Sequence, residues 1–299
     1  MVSPAMTRPK ILVFAFSMVG AEALQELINL QANIVAVYTY EDDPRENWFP
    51  SVKEMALANK IPVYTPEKIE KKDVENIAVI APHIILSAYY RSLLPQNVLD
   101  VAPLGAFNIH GSLLPRYRGC APVNWVLVNG ETETGVTLHY MVAQADAGDI
   151  VDQETIPIEI SDTAFLLTQK TAAAARQIIR RTLPSIEKGS VRRKKQDNGQ
   201  SSYWGRRTPD DGLISWSDNE WEIYNLIRAV TKPFPGAFTF LNGEKVFIWS
   251  AKITEDKSTS PPGTIVSTSP LVVSTGGYDL EVLTFTTEAK TLTGQFHGA

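Results

Sequence analysis

FNIHGSLLPRYRGCAP, residues 107–122, places an amide and an imidazole two positions apart at the end of an apolar run, then turns sharply through prolines and arginines. Side chains at i and i+2 of a strand share a face. A strand ending in FNIH therefore presents Asn108 and His110 on one side of its tip. In an open α/β sheet, ligands bind beyond the carboxyl ends of the strands. The reading of this stretch thus depends on whether the surrounding chain builds such a sheet. Taken alone, N-x-H has a plain alternative, in which Asn108 caps a turn and His110 is a half-buried, satisfied histidine.

Outward from that stretch, strands and helices alternate. Residues 11–16 (ILVFAF) are continuously apolar, as a parallel strand covered on both faces must be. Residues 21–30 carry Ala23, Leu24, Leu27 and Ile28 in a helical stripe. Residues 34–40 form a second strand, and Ser51 and Glu54 are spaced as a capping box at the start of a helix over 51–59. Strands are expected over 84–88, 106–110, 136–142 and 150–158, and a long helix over 163–183 with Gly189 beyond its end. This alternation predicts an α/β fold with a doubly wound, Rossmann-like, mostly parallel sheet.

The character changes near residue 190. A basic run, 192–195, precedes the polar stretch QDNGQSS and reads as a solvated linker, because no aromatic residues interleave with it. Beyond it, residues 221–231 read as a helix, and the rest as short strands broken by NG, PPG and GG turns. A smaller C-terminal, OB-like β-barrel domain is expected there. The domains are placed at 1–204, the Rossmann-like catalytic domain, and 205–299, the barrel.

Composition removes several classes of function. The chain has 299 residues, 44 % of them apolar, and a formal net charge of −5. That balance provides no general attraction to nucleic acid or to an anionic membrane surface. Cys120 is the single cysteine, so no internal disulfide forms and a reducing cytoplasm is the expected setting. No apolar run approaches the roughly 18 residues of a membrane span. The turn FSMVGAEAL offers one glycine, Gly20, where a dinucleotide site wants three. Neither a Walker A loop nor a G-x-S-x-G elbow is present. His83, His110, His139 and His297 show no metal-ligand spacing, and no metal is expected.

A second polar cluster raises the weight of FNIH. QADAGDI, residues 144–150, lies between two expected strands and carries Asp146 and Asp149 around Gly148. An amide, an imidazole and a carboxylate at neighbouring strand ends hold an acid–base site.

N-x-H, then SLLPRYRG, then D-A-G-D resembles the formyltransferases that use 10-formyltetrahydrofolate. The resemblance continues through APVNWVLVNGETETGVTLHYM, GRRTPDDGLISW and RAVTKPFPGAF, and is strongest to the members that act on nucleotide-linked amino sugars. It implies that Asn108, His110 and Asp146 are the catalytic residues. It implies 10-formyltetrahydrofolate as co-substrate, with Ser92, Leu93 and Leu94 against the pterin and Val142, Ala143, Gln144 and Ala145 in the loop closing over it. Ser112, Arg116, Arg118 and Arg206 fall to the acceptor. One departure is Cys120, which stands where the amino-sugar enzymes carry an arginine that helps hold the folate.

The chemistry agrees with those roles. A neutral amine attacks the formyl carbon, and the tetrahedral oxyanion needs preorganised donors. Asn108 and protonated His110 supply them, while Asp146 orients His110 and takes up the amine's proton.

The acceptor is implied to be UDP-4-amino-4-deoxy-L-arabinose. The alternatives are another nucleotide amino sugar, methionyl-tRNA, and a binding module without turnover. Glu41, Asp42, Asp43 and Glu46 against one Arg45 make the segment after the second strand acidic, which opposes RNA phosphates. No nucleic-acid or membrane partner is therefore expected. Self-association or fusion to a second enzymatic domain is compatible with the resemblance.

Overall fold

The computed structural model describes residues 8–287 and 294–298. The outer ends of both expected domains, 1–7 and 299, and residues 288–293 of the second lie outside the described residues. The chain divides into two compact units. The first comprises 1–119, 133–157 and 168–203, and the second 120–132, 158–167 and 204–299.

In chain order the elements of the first stretch are β1 (Ile11–Ala15), α1 (Ser17–Asn29), β2 (Ile34–Tyr38), α2 (Val52–Ala58), β3 (Val63–Tyr64), α3 (Lys71–Ile80), β4 (Ile84–Ala88), α4 (Gln96–Leu99), β5 (Gly105–His110) and β6 (Arg118–Gly119). There follow α5 (Pro122–Val128), β7 (Glu133–Tyr140), β8 (Ile150–Pro157), α6 (Ala164–Glu187) and β9 (Tyr203–Trp204). The last are α7 (Glu220–Val230), β10 (Ala237–Leu241), β11 (Glu244–Lys257), β12 (Ile265–Thr268), β13 (Leu271–Val273) and β14 (Tyr278–Thr287).

The first unit holds a seven-stranded sheet in the order β3-β2-β1-β4-β5-β7-β8. Pairing is parallel from β3 to β5 and antiparallel where β7 joins β5 and β8 joins β7. The fold class is the expected one, a mostly parallel sheet with helices. Apolar residues fill both faces of the central strands, which is why they show no period of two. Leu12, Phe14, Ala36, Tyr38 and Ile85 share one buried cluster with Ile77 of α3 and Val98 and Leu99 of α4. Ile11, Ile84, Leu86 and Leu138 face Leu27 of α1 and Ile179 and Leu183 of α6 on the other side.

Local signals place several boundaries. Ser51 Oγ accepts from Glu54 N–H at 3.0 Å, which is one half of the expected capping box. Thr163 Oγ1 accepts from Leu166 N–H at 3.3 Å at the head of α6, which continues past the expected end through Pro184 to Glu187. Sequence periodicity did not point to α3, which turns only Asp73 and Ile77 fully inward. Its start is set by a reciprocal cap between Glu70 and Asp73.

The second unit contains α7 and a five-stranded sheet in the order β10-β11-β14-β13-β12. Bridges Phe240–His297 and Thr264–Gln295 bring the terminal segment against β10 at one margin and the lead-in to β12 at the other, in the manner of a barrel closure. Within this unit α5 packs on α7, and Asn124 Nδ2 donates to the Ala229 carbonyl at 2.7 Å. No helix among the described residues is long and apolar enough to cross a membrane.

Candidate active site

The tip of β5 and the neighbouring end of β7 carry the polar cluster. The antiparallel register sets Asn108 opposite His139 and His110 opposite Thr137. Directly paired residues project on the same face, so His139 joins Asn108. Its Nδ1 lies 2.8 Å from the Tyr140 carbonyl oxygen. A carbonyl only accepts, so Nδ1 carries the proton and in the neutral ring Nε2 presents a lone pair. Asn108 Nδ2 donates to that Nε2 at 3.2 Å. The contact determines which end of the Asn108 amide faces His139 and leaves its second N–H for another acceptor.

His110 is held by the same logic. It is 6 % exposed, and its Nε2 donates to the Tyr117 carbonyl at 2.7 Å. Nδ1 then faces Asp146 Oδ1 at 3.6 Å, while His139 Nε2 approaches the same oxygen at 3.5 Å. Asp146 Oδ2 accepts from the Gly119 N–H at 2.9 Å. Burial pushes the Asp146 carboxyl up, but the charge of His110 and the Gly119 hydrogen bond draw it down. The group is held well below the usual carboxylate range and stays ionised.

The loops bearing these groups adopt demanding conformations. Asp146 has φ of 54°, and Tyr117 and Gly119 have φ of 59° and 101°. A non-glycine residue in this left-handed region is strained by about 1 to 2 kcal/mol, so surrounding contacts must hold it. At Gly148 a Cβ would overlap the Tyr140 carbonyl oxygen, so only glycine lets the DAGD loop lie against the end of β7. Thr137 pins the opposite turn, donating to the Ser112 carbonyl at 2.6 Å and accepting from Leu114 N–H at 3.1 Å.

The structure thus brings Asn108, His110 and Asp146 together and adds His139. That residue had entered the sequence reading only as a histidine without metal spacing. Its one sequence signal is a lone imidazole inside the apolar strand GVTLHYM. Among the proposed cofactor contacts, Ser92 Oγ lies 3.0 Å from Tyr40 OH, Leu94 is buried, and Leu93 is 75 % exposed. Val142 and Ala143 are exposed, the Ala145 carbonyl accepts from Tyr203 OH at 3.4 Å, and Gln144 Nε2 donates to that hydroxyl at 2.7 Å.

The proposed acceptor contacts separate into two groups. Ser112 is buried and donates to the Arg116 carbonyl at 2.7 Å, and Arg118 is buried, whereas Arg116 is exposed with its guanidinium 5.8 Å from the Tyr117 ring. Arg206 is exposed in the second unit. Among the described residues, no group of three or more His, Cys, Asp and Glu is arranged to hold a metal ion.

An ionised carboxylate, two imidazoles and an amide at the strand tips of a doubly wound sheet are the equipment of an enzyme that moves protons while transferring a group. Residues 10–183 match the formyl transferase family and residues 206–295 its C-terminal domain, so the chain belongs to the formyl transferases. Solved structures share the fold. WlaRD, a sugar 3N-formyl transferase determined in the presence of dTDP and 5-N-formyl-THF, is 22 % identical with a TM-score of 0.71, over 92 % of this chain and 98 % of that one. The N-formyltransferase from Helicobacter canadensis, in complex with folinic acid and dTDP-3-aminofucose, is 22 % identical with a TM-score of 0.73, over 92 % and 99 %. HypX from Aquifex aeolicus in complex with tetrahydrofolic acid is 17 % identical with a TM-score of 0.65, over 92 % of this chain and 44 % of that one.

Proposed function

We propose that this formyl transferase moves the formyl group of 10-formyltetrahydrofolate onto the amine of a nucleotide-linked amino sugar, with UDP-4-amino-4-deoxy-L-arabinose as the acceptor. The observation that carries the reading is the convergence of His110 and His139 on the ionised Asp146 carboxylate, with the Asn108 amide held against His139. In the reaction the amine nitrogen bonds to the formyl carbon, the bond from that carbon to N10 of the folate breaks, and N10 takes up a proton. The second N–H of Asn108 is open to the oxyanion that forms in between, whereas both His110 nitrogens are engaged, Nε2 by the Tyr117 carbonyl and Nδ1 toward Asp146, so His110 is not the second oxyanion donor expected from the sequence. Asp146 lies against His110 Nδ1 and receives the proton that the amine gives up.

The donor set suits a folate. Leu93 and Val142 are both exposed apolar side chains, and their neighbours Leu94 and Met141 belong to one apolar cluster, so two apolar edges flank the strand tips. In this reading the main chain of Ser92, Leu93 and Leu94 and of Val142, Ala143, Gln144 and Ala145 takes the pterin. Arg116 meets the sugar nucleotide, whereas Ser112 and Arg118 shape the turn from within. The acidic segment supports a sugar over RNA: Asp42, Asp43 and Glu46 line one cavity with Phe16 and Phe49.

A dTDP-linked 3-amino sugar is the second reading, favoured by the nucleotide named with WlaRD and with the Helicobacter canadensis enzyme. A panel of nucleotide amino sugars incubated with 10-formyltetrahydrofolate, read by mass, tests both. A formyl added to UDP-4-amino-4-deoxy-L-arabinose is the expected product. Formylation of dTDP sugars alone selects the second reading, and formylation of methionyl-tRNA with no sugar product rejects both.

A further inference from the structure

Arg118 is one of the largest fully buried side chains, at 2 % exposure. A buried guanidinium is costly unless its donors are satisfied. Its Nε and Nη2 donate to Gln196 Oε1 at 3.1 and 2.6 Å, Nη2 to Asn198 Oδ1 at 2.9 Å, and Nη1 to Tyr203 OH at 3.1 Å. All three acceptors are uncharged: Gln196 and Asn198 belong to the polar stretch QDNGQSS, and Tyr203 directly follows it.

That segment is tied to the active-site loops along its length. Arg193 stacks over the Tyr140 ring at 3.8 Å, and Lys194 exchanges main-chain hydrogen bonds with Ile150 at 2.9 and 2.8 Å. The Ser202 carbonyl accepts from Arg118 N–H, and Ser202 Oγ from Tyr117 N–H, both at 2.9 Å. The basic run is exposed, as expected, yet it is tied down at Arg193 and by the isolated bridge between Lys194 and Ile150. Gln196 makes the decisive contact: its Nε2 donates to the main-chain oxygens of Asp146 at 2.8 Å and Gly148 at 2.7 Å. Tyr203 OH, receiving Arg118, also receives Gln144 Nε2 at 2.7 Å.

We propose that residues 193–203 form a positioning strap, anchored by the buried Arg118, whose Gln196 holds the main chain of Asp146 in the left-handed conformation that aims its carboxylate between His110 and His139. A left-handed aspartate persists only where its surroundings over-determine it, and the two Gln196 hydrogen bonds grip the loop at Asp146 and two residues on. Arg118 and Gln196 are positioning residues: neither touches the reacting atoms. The catalytic consequence rests on the proposed role of Asp146, whereas the strap itself is testable without turnover.

Gln196→Glu isolates the contact. It keeps the oxygens that receive Arg118 and removes both N–H donors to the loop. The Gly119 amide, bonded to Asp146 Oδ2 at 2.9 Å, reports the carboxylate's place through its hydrogen-exchange rate. In the full-length chain, Gln196→Glu should speed exchange at Gly119 by about tenfold or more. It should lower kcat by on the order of a hundredfold, as expected when a catalytic group is misplaced by about 1 Å, with KM changed by less than about threefold. In an Asp146→Asn background it should lower kcat no further. Tyr203→Phe, which removes one hydroxyl, should shift exchange in the same direction and serves if Gln196→Glu fails to fold. Unchanged Gly119 exchange in the folded variants overturns the proposal whatever kcat does. Faster exchange in a protein that formylates no amino sugar leaves the strap standing and removes the functional reading instead.

Discussion

Asn108 and His139 face each other across the antiparallel junction of β5 and β7, with the amide nitrogen of one 3.2 Å from the Nε2 of the other. The His139 tautomer, set by the Tyr140 carbonyl, makes Nε2 an acceptor and so orients the amide. His139→Ala should therefore reduce kcat by about tenfold or more, because Asn108 is then free to turn its oxygen toward the developing oxyanion. Asn108→Ala, which removes the donor itself, should cost on the order of a hundredfold or more. In the double variant the losses should be far from additive, since His139 acts largely through Asn108. Steady-state release of tetrahydrofolate measures all three, and fully additive losses would refute the coupling.

Asp146→Asn keeps the size of the side chain and removes its charge. It should lower kcat at least as much as Asn108→Ala, since His110 then loses its carboxylate partner and the amine loses its proton acceptor. The same group has a signature in acid. Its folded pKa lies below the ordinary aspartate value of about 3.9. Its ionisation therefore stabilises the fold at pH above the unfolded value, and this contribution is lost as pH falls from there toward the folded value. The gap in urea midpoint between wild type and Asp146→Asn should be steady between pH 5 and 7, about the range above that titration. It should move against wild type below about pH 4. A gap independent of pH down to about 3 would show that the carboxylate titrates normally.

Glu26 is fully buried on α1, where Arg180 Nε donates to it at 2.7 Å and Arg176 Nε at 3.3 Å. Removing both arginines, which are themselves 36 % and 64 % exposed, as in Arg176→Met/Arg180→Met, leaves the Glu26 carboxylate without those donors and should destabilise the protein by about 1 to 3 kcal/mol in urea titration. Adding Glu26→Met to that pair should recover much of the loss, because a buried ion pair replaced by apolar groups of similar volume is often near neutral. Failure of the triple variant to recover stability would assign the loss to packing by the arginine stems.

A chain ending at residue 204 follows the boundary proposed from composition. It retains Asn108, His110, His139, Asp146 and the strap, all in the first unit. It also removes α7 from α5, along with the Gly205 carbonyl that accepts from Trp125 Nε1 at 2.9 Å. The truncated chain should bind tetrahydrofolate by calorimetry yet unfold at lower urea than the full chain, with Val123 and Leu127 among the newly uncovered residues. A folded truncated chain without folate binding would move the cofactor site out of the first unit.

The sequence by itself determined what depends on neighbours along the chain. A continuous apolar run of β-branched and aromatic residues specified buried parallel strands, the period of two put Asn108 and His110 on one face, and Ser51 and Thr163 marked the heads of helices. The proposed catalytic trio was legible because each member stands at the end of a strand or in a loop with its own local signal. His139 was not, because its role depends on the register between β5 and β7, a pairing across 31 residues that no periodicity records. The place of Arg118 and of residues 193–203 depends on pairings of the same kind. Clustered charge and polarity read locally as solvated surface, and only tertiary structure supplied Gln196, Asn198 and Tyr203 as partners for the buried guanidinium. The strained aspartate is likewise a tertiary decision: an isolated chain has no reason to hold Asp146 at φ of 54°, and hydrogen bonds from Gln196 and Gly119 help to bind that segment in place.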